Sequence, residues 1–495
     1  MTDAALVLLT LLATTLPGGY LLMRQVLRAP PVHGFFDTGS SFFAGLLLNI
    51  AVLNGLQWFP RGFDARNAFW LLASMHFIAI VWLLIKNVEW RRGFSRDNTN
   101  CRTDRNKSRL LSTWFFGIAL SSIALWSAQV VLQLPVIGWD AWSGWVAKAK
   151  IWQEHGLHTA IVPVSDWLAA GSAGAGQFSS HMWHYPDAVG LLYAVLALIA
   201  PTHVLEQSGA AVLWPLCGVM LAAGMFGYFQ FCWGQSRPDG KWLAMAPGFL
   251  LLLTPLWLQH MLLPGYADLL LACFAWYAAI CYLLWRSGAE RGFWRASILF
   301  LAALPLIKLM GWLLLILFGI AHVTSQPRYY RLLTVIAVSV IAAGIALWFF
   351  MPLELATPFG QIKLDRKQWT LPGYGRVQFG WFFPNQAWIE GLFFSRNWLL
   401  LWFGMPVALW LGLQRSFRLT TDRFLCVLIL GFLMLIFFMY GLTSFSQFAS
   451  AFTSSNRVLM HIYPLYLTCL FLLTVPRRHD HDMGQMAQHN QQTKK

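Results

Sequence analysis

The sequence predicts an all-α polytopic membrane protein with about eleven full transmembrane helices plus short re-entrant or interfacial helices. Two features of the composition point there: the 495 residues are 58% hydrophobic and only 11% charged. Apolar runs of roughly 17–25 residues, long enough to cross about 30 Å of hydrocarbon as a helix, also recur along the chain. Backbone polar groups in lipid must be satisfied within each segment, so these continuous runs indicate helices.

The predicted full spans are residues 4–23, 41–58, 68–86, 110–134, 208–232, 242–259, 269–285, 332–351, 397–413, 424–442 and 458–475. Residues 188–200 form a run of about 13 apolar residues, which is short for a crossing and favours a re-entrant or interfacial helix. Residues 297–323 fit either one crossing or a hairpin of two half-length helices that meet at residues 308–311.

Basic residues set the predicted orientation. Residues 86–109 contain eight basic and three acidic residues, and the positive-inside rule places this loop in the cytoplasm. Residues 135–186 then form a long extracytoplasmic loop, and residues 352–395 form a second one. The same rule favours the hairpin at 297–323, because it keeps five arginines inside: Arg328, Arg331, Arg415, Arg418 and Arg423.

Four segments follow from this layout. Residues 1–109 are N-terminal spans with the basic loop, and residues 110–352 are a transmembrane module that carries the loop 135–186. Residues 353–476 hold the second external loop and the C-terminal spans, and residues 477–495 form a polar tail predicted to be disordered in the cytoplasm. The chain is predicted to be an integral protein of a bacterial inner membrane, with its active site on the periplasmic side.

The charge pattern argues against nucleic-acid binding, and the cysteine pattern argues against a disulfide framework. The net charge is +15, but the basic residues fall in short loops between apolar runs, where they set orientation. Nucleic-acid binding is therefore not expected. The seven cysteines are scattered without paired spacing, so a disulfide framework is not expected either.

The richest polar stretch of the first external loop begins at Asp140. Read at helical spacing, Ala141, Trp145, Lys148 and Trp152 share one face. This pattern predicts an amphipathic helix with interfacial Trp residues along the membrane surface. Asp140 stands where the helix begins, so an N-cap role competes with a functional one. The lysines Lys148 and Lys150 close by favour function.

A second polar cluster ends the same loop and contains His181, His184, Tyr185 and Asp187. Two histidines and an aspartate could ligate a divalent metal. Solvated loop side chains are the commoner explanation of such a cluster.

Three further charged residues stand at or near predicted spans. Asp268 heads the span 269–285 on the external side. Lys308 lies in the middle of an apolar stretch, where an isolated charge usually faces a polar cavity or a partner and otherwise snorkels to the interface. Arg457 begins the last span, where interfacial anchoring is the alternative to function.

Together these residues resemble the GT-C superfamily of polytopic glycosyltransferases, and bacterial relatives of protein O-mannosyltransferases and of the lipid A aminoarabinose transferase in particular. The resemblance rests on an Asp in a Trp-rich first-loop helix, a Tyr-Pro at the end of that loop, an Asp in a later loop and a buried Lys before Gly. It covers residues 110–325 best and extends more weakly to Arg457. His184 stands where the family has an acidic residue before Tyr-Pro, and Lys308-Leu309-Met310-Gly311 lacks the polar middle of the family's motif.

The resemblance implies that Asp140 is the catalytic base or an acceptor-binding carboxylate, and that His184, Tyr185, Asp187, Asp268 and Lys308 contact substrate. It also implies a polyprenyl-phosphate sugar donor and inversion at the transferred carbon. The acceptor is an unidentified glycan, lipid or protein. A positioned carboxylate can take the proton of an acceptor hydroxyl, and cations stabilise a departing phosphate. The available cations are Lys148, Lys150, Lys308 and Arg457.

A transporter or flippase for a lipid-linked or anionic solute is the alternative function. It predicts paired broken helices and polar residues deep in several spans. This chain has few charges within its apolar runs apart from Lys308, which favours the transferase.

Overall fold

A computed structural model describes residues 2–59, 63–93, 103–171, 176–199, 209–234, 239–288 and 290–326. It also describes residues 339, 342 and 346, and 349–475 except 358–359, 372–374, 383–388, 395, 400, 405, 408–409, 412–419 and 451–453. The predicted tail 477–495, most of the span 332–351 and part of the basic loop 86–109 lie outside the described residues. The chain divides into two compact units, Met1–Gly311 and Trp312–Thr474. The predicted boundaries at residues 109, 352 and 476 stay predictions.

The protein is mostly helical, and its long apolar helices make it an integral membrane protein. Seven described helices are long and apolar enough to cross a bilayer: Asp3–Val26, Gly34–Leu56, Ala65–Lys86, Leu110–Gln133, Gly209–Trp233, Ala267–Arg286 and Arg423–Gly441. Each coincides with a predicted span. Eleven full crossings are not confirmed.

The helices of the first unit are α1 Thr2–Ala13, α2 Leu16–Leu21, α3 Gly34–Leu56, α4 Ala65–Gly93, α5 Thr103–Gln133, α6 Val146–His155, α7 Val164–Ala170, α8 Ala188–Leu196, α9 Leu213–Trp233, α10 Gly240–Leu243, α11 Ala246–Leu253, α12 Pro255–Leu262, α13 Ala267–Arg286 and α14 Arg291–Ile307. Two-residue strands β1 Ile161–Val162 and β2 Phe178–Ser179 pair in parallel. α15 Met310–Thr324 follows α14 and belongs mainly to the second unit.

Burial separates the central helices of the first unit from the outer ones. The spans Gly209–Trp233 and Ala267–Arg286 are 94% and 100% buried, whereas Ala65–Lys86 and Leu110–Gln133 are only 22% and 33% buried. All four are strongly apolar. An apolar helix that is exposed on most of its surface has lipid as its solvent, so α4 and α5 form the lipid-facing side and α9 and α13 the core.

One predicted span and the undecided segment 297–323 are interrupted. The predicted crossing 242–259 consists of α10–α11 and α12, which are bent by 63°. The break falls at Thr254, whose backbone is extended before Pro255, because the residue before a proline is pushed out of the helical region. Residues 297–323 break into α14 and α15 at Lys308, also extended. The helix breaks at the predicted place, while the choice between one crossing and a hairpin, and with it the sidedness of the five arginines, stays a prediction.

The predicted short helix at 188–200 is confirmed as α8. All nine of its residues are buried, and it packs against α3, α4, α6 and α14. Its environment is therefore the interior of the helical unit, which fits a re-entrant segment better than an interfacial one.

The second unit contains a four-stranded antiparallel sheet that the sequence analysis missed. Its strands are β3 Leu353–Thr357, β4 Gly360–Leu364, β5 Gln368–Leu371 and β6 Gly375–Gln378, in that order. Helices α16 Thr420–Gly441, α17 Ser446–Ser450, α18 Ser455–Met460 and α19 Tyr463–Thr474 follow. The strands lie within the predicted loop 352–395. Their alternation is too short to be distinguished from a polar loop by periodicity alone.

Candidate functional site

The helix at Asp140 begins where the sequence predicts it. Trp139 and Asp140 are already helical, a π-helical turn spans Ala141–Trp145, and α6 continues from it. Asp140 has helical φ and ψ, and its side chain makes no capping hydrogen bond. The predicted N-cap role is therefore wrong, because a capping residue stands outside the helix with its side chain folded onto the first turn.

The predicted face of this helix is confirmed, but it faces protein rather than lipid. Ala141, Trp145 and Lys148 are fully buried and Trp152 is 1% exposed. The face packs on α8 at Gly190, where an added Cβ would lie 2.9 Å from the Trp152 ring and 3.0 Å from the Trp145 carbonyl oxygen. Only glycine permits this approach. The exposed Trp residues of the helix are instead Trp139 and Trp142.

Lys148 holds the second polar cluster against the helix. Its ammonium donates to the carbonyl oxygens of Trp183 at 3.2 Å and Tyr185 at 2.7 Å, and to Asp187 Oδ1 at 2.8 Å. An ammonium has three N–H donors, so these three acceptors use all of them. Burial lowers the pKa of Lys148, while the Asp187 carboxylate acts in the opposite direction. The geometry gives Lys148 a positioning role for residues 183–187.

Ring contacts order the same cluster. Tyr185 packs edge-on against Trp145, with ring centroids 5.7 Å apart, and His184 lies 4.8 Å from Tyr185. Burial lowers the pKa of the partly buried His184, and the charges of Lys148 and His181 lower it further. His184 is therefore a neutral imidazole at pH 7, able to donate one hydrogen bond and accept another.

Asp268 and Lys308 form a second buried ion pair, 40 residues apart in sequence. Lys308 Nζ lies 2.5 Å from Asp268 Oδ1, and the two side chains are 12% and 0% exposed. Asp268 sits in the first turn of α13, where a carboxylate is favoured by the helix dipole. Lys308 sits at the end of α14. The predicted choice between a partner and snorkelling is thus decided for a partner.

The two buried lysines differ in what they can still bind. Within the described part of the chain, the Lys308 ammonium has one hydrogen-bond acceptor, Asp268, and its side chain is 12% exposed. Two donors are left for a ligand. Lys148 is fully enclosed and has none to spare. An incoming phosphate can therefore add to Lys308 without breaking the existing pair.

The loop before Asp268 packs directly on the start of the Asp140 helix. An added Cβ at Gly265 would lie 2.6 Å from the Ala141 Cβ, and one at Gly138 would lie 2.2 Å from the Tyr266 ring. Gly265 has a φ of +92°. Trp214 Nε1 fixes the loop by donating to the Tyr266 carbonyl oxygen at 2.7 Å. Asp140 thus adjoins the segment that carries Asp268.

No family model matches this chain, no curated protein matches it, and no solved structure matches it. The resemblance to the GT-C superfamily accordingly stays a prediction.

The remaining predicted residues are Lys150 and Arg457. Lys150 is on the exposed side of α6. Arg457 lies in α18, in the second unit. Among the described residues, no group of three His, Cys, Asp or Glu side chains could hold a metal ion. The described residues thus offer no geometry for the divalent metal considered at His181, His184 and Asp187, and the Asp187 carboxylate is bound to Lys148 instead.

Sequence reasoning missed Gly265 and Tyr266, which connect the two acidic segments. Tyr266 is 9% exposed, and its ring also packs on His260, with centroids 5.4 Å apart. The available signal was Pro264-Gly265 in a short connection before a span, a pair typical of a tight turn. Nothing in the sequence indicates that this turn meets Ala141.

Proposed function

We propose that the protein is a membrane glycosyltransferase that moves a sugar from a polyprenyl-phosphate donor to an acceptor hydroxyl on the extracytoplasmic face. One observation carries the proposal: the turn at Gly265–Tyr266 packs on the start of the Asp140 helix. Two segments far apart in the sequence therefore meet at one end of the first unit. One carries the Asp140 carboxylate, and the other carries Asp268 with its partner Lys308.

Each group has a defined part in the transfer. The acceptor oxygen forms a bond to the anomeric carbon while Asp140, as general base, takes the acceptor's proton. The bond from that carbon to the phosphate oxygen breaks, and the polyprenyl phosphate leaves with the electron pair. Lys308 stabilises the charge on this leaving group with its two remaining donors. Asp268 holds the Lys308 ammonium in place through their ion pair.

Lys148 and Asp187 hold residues 183–186 in place, and these residues form the other side of this site. By binding the carbonyl oxygens of Trp183 and Tyr185, Lys148 presents His184 and Tyr185 for hydrogen bonds to the sugar. This revises the predicted contribution of Lys148 from stabilising phosphate to positioning the residues that contact the substrate.

The test uses purified protein in lipid nanodiscs with a panel of polyprenyl-phosphate sugars, following release of polyprenyl phosphate and transfer to added acceptors. The Asp140→Asn variant should lose transfer by several orders of magnitude while folding and inserting normally. Asp166→Asn is the matched control, because Asp166 is an exposed carboxylate in the same loop. Full activity in Asp140→Asn, with normal turnover in the wild type, would refute the assignment.

The structure also offers an observation in favour of the transporter or flippase. The 63° bend between α10–α11 and α12 and the break at Lys308 are discontinuous helices of the kind that line transport sites. Loading proteoliposomes with a labelled polyprenyl-phosphate sugar separates the two functions. Movement between leaflets without chemical turnover supports transport, and turnover with release of polyprenyl phosphate supports transfer.

A further inference from the structure

The short helix α7 presents an apolar stripe that the described part of the protein leaves about half exposed or more. Val164, Trp167 and Leu168 occupy positions i, i+3 and i+4 and are 48%, 45% and 67% exposed. None of the seven residues of α7 is buried. Asp166 and Ser165 lie on the other side of the helix. An amphipathic helix with a Trp-containing stripe is typical of segments that lie in the membrane interface.

Strands β1 and β2 close the segment around α7 into a loop. Ile161 pairs with Phe178 and Val162 with Ser179, and the Ser179 hydroxyl donates to the Val162 carbonyl oxygen at 2.9 Å. The helix therefore leaves the protein and returns to the same place. The two ends of this loop therefore lie together, next to the layer that α6 and α8 form.

Backbone contacts place that layer at one end of the membrane spans. The helix that contains α6 starts directly after α5 and meets the turn before α13 at Gly265. Just beyond its other end, the Leu157 amide donates to the Phe63 carbonyl oxygen at 3.0 Å, in the connection between α3 and α4. The helix thus runs across the ends of four spans. α7 begins at Val164, soon after α6 ends at His155, on the side of the protein where these spans end.

Other exposed aromatic residues mark the same level. Trp58 and Phe59, in the α3–α4 connection, are 87% and 56% exposed, and Trp139 and Trp142 are exposed at the start of the Asp140 helix. Trp is enriched at membrane–water interfaces because its ring is apolar and its N–H is polar. The stripe on α7, which is also exposed and contains a Trp, belongs to the same external loop as Trp139 and Trp142.

We propose that α7 is an interfacial anchor whose stripe inserts into the lipid headgroup region, so that the loop 135–186 is held on the bilayer surface. The partner is the lipid surface itself. The stripe carries no charge, so the contact depends on apolar burial and on the Trp ring, and no anionic headgroup is required. This inference is independent of the transferase assignment and holds equally for a transporter.

Nitroxide labels at two positions test it in full-length protein reconstituted in lipid nanodiscs. Leu168→Cys places the label on the stripe, and Asp166→Cys places it on the opposite side of the same helix. A label in lipid collides more often with oxygen, and a label in water collides more often with a nickel chelate. We expect the ratio of oxygen to nickel collisions to be several-fold higher at position 168 than at 166.

Val164→Cys is a second reporter on the stripe and should match position 168. Labelling of the native cysteines is measured with wild-type protein treated identically and subtracted. Equal, water-like ratios at 164, 166 and 168 would overturn the proposal. So would exclusion of both reagents at 164 and 168, since that pattern means contact with protein, such as a second copy of the chain. Thermal unfolding of each variant confirms that the labelled proteins are folded.

Discussion

Lys148 and Lys308 show how the surroundings of one side-chain type determine what it can do. Both ammonium groups are bound to a carboxylate at 2.5–2.8 Å. Lys148 has two carbonyl oxygens in addition, and it is fully enclosed. Lys308 has the carboxylate alone among the described residues. The first is therefore part of the architecture, and the second can still accept an anion.

Replacing Lys148→Met should destabilise the protein, because it leaves Asp187 and two carbonyl oxygens without their donor. Removing one partner of a buried ion pair costs about 3–5 kcal/mol, and we expect the lower end of this range because Asp187 can regain water. The Asp187 side chain is 35% exposed. The melting temperature followed by intrinsic fluorescence measures the loss. Lys150→Met is the matched control and should change stability by no more than about 0.5 kcal/mol, as exposed substitutions do. Equal melting temperatures for the two variants would contradict the positioning role.

His184 should make the stability of the protein depend on pH. Burial and the neighbouring charges lower the pKa of the folded-state imidazole, whereas in the unfolded chain the pKa returns to about 6.5. As the pH falls through about 6.5, the unfolded state takes up the proton first, so the free energy of unfolding decreases down to the folded-state pKa. His184→Gln removes this contribution. The drop in melting temperature between about pH 7.5 and about pH 5 should be smaller in the variant than in the wild type, and an unchanged drop would contradict the expectation.

At the scale of elements, the helix that starts at Trp139 shows what periodicity can predict. The spacing of Ala141, Trp145, Lys148 and Trp152 predicts their shared face correctly, because helical geometry alone puts residues three and four apart on one side. It does not indicate what covers that face. In the structure, the nine-residue helix α8 covers the face and approaches it through Gly190.

The turn at Gly265 gives a prediction with a close control. Gly265 and Gly288 have φ values of +92° and +94°, but an added Cβ at Gly288 meets nothing within 4 Å. Gly288→Ala should therefore cost only the backbone strain, about 1–2 kcal/mol. Gly265→Ala should cost more, because its Cβ also collides with Ala141, and it should reduce any activity that depends on Asp140. Melting temperatures of both variants measure the difference, and equal losses would mean that the contact with Ala141 is unimportant.

At the scale of the whole molecule, the apolar runs of the sequence predicted the described long helices well. A run of about 20 apolar residues is required by the thickness of the bilayer and is visible in one dimension. The interruptions were harder to predict. Thr254-Pro255 contains a helix-breaking signal, yet the 63° bend depends on how α12 packs. The four strands of the second unit alternate over four or five residues only, which is too short to distinguish from loop.

The predicted orientation can be tested on whole cells with a membrane-impermeant maleimide. Cys101 lies in the basic loop 86–109 and should react only after permeabilisation. Lys150→Cys, at an exposed position of α6, should react in intact cells, because the loop 135–186 is expected outside. Labelling of Cys101 in intact cells would reverse the orientation and place the Asp140 site in the cytoplasm.

The sequence alone determined the helical membrane class, the positions of seven long apolar helices and the shared face of Ala141, Trp145, Lys148 and Trp152 on the Asp140 helix. These properties follow from composition and periodicity, which are local along the chain. Tertiary structure alone decided that Lys148 pairs with Asp187, that Lys308 pairs with Asp268, and that Gly265 rests on Ala141. Partners 39 and 40 residues apart meet only when particular helices pack together, and a one-dimensional pattern says which face is apolar but not which face it meets.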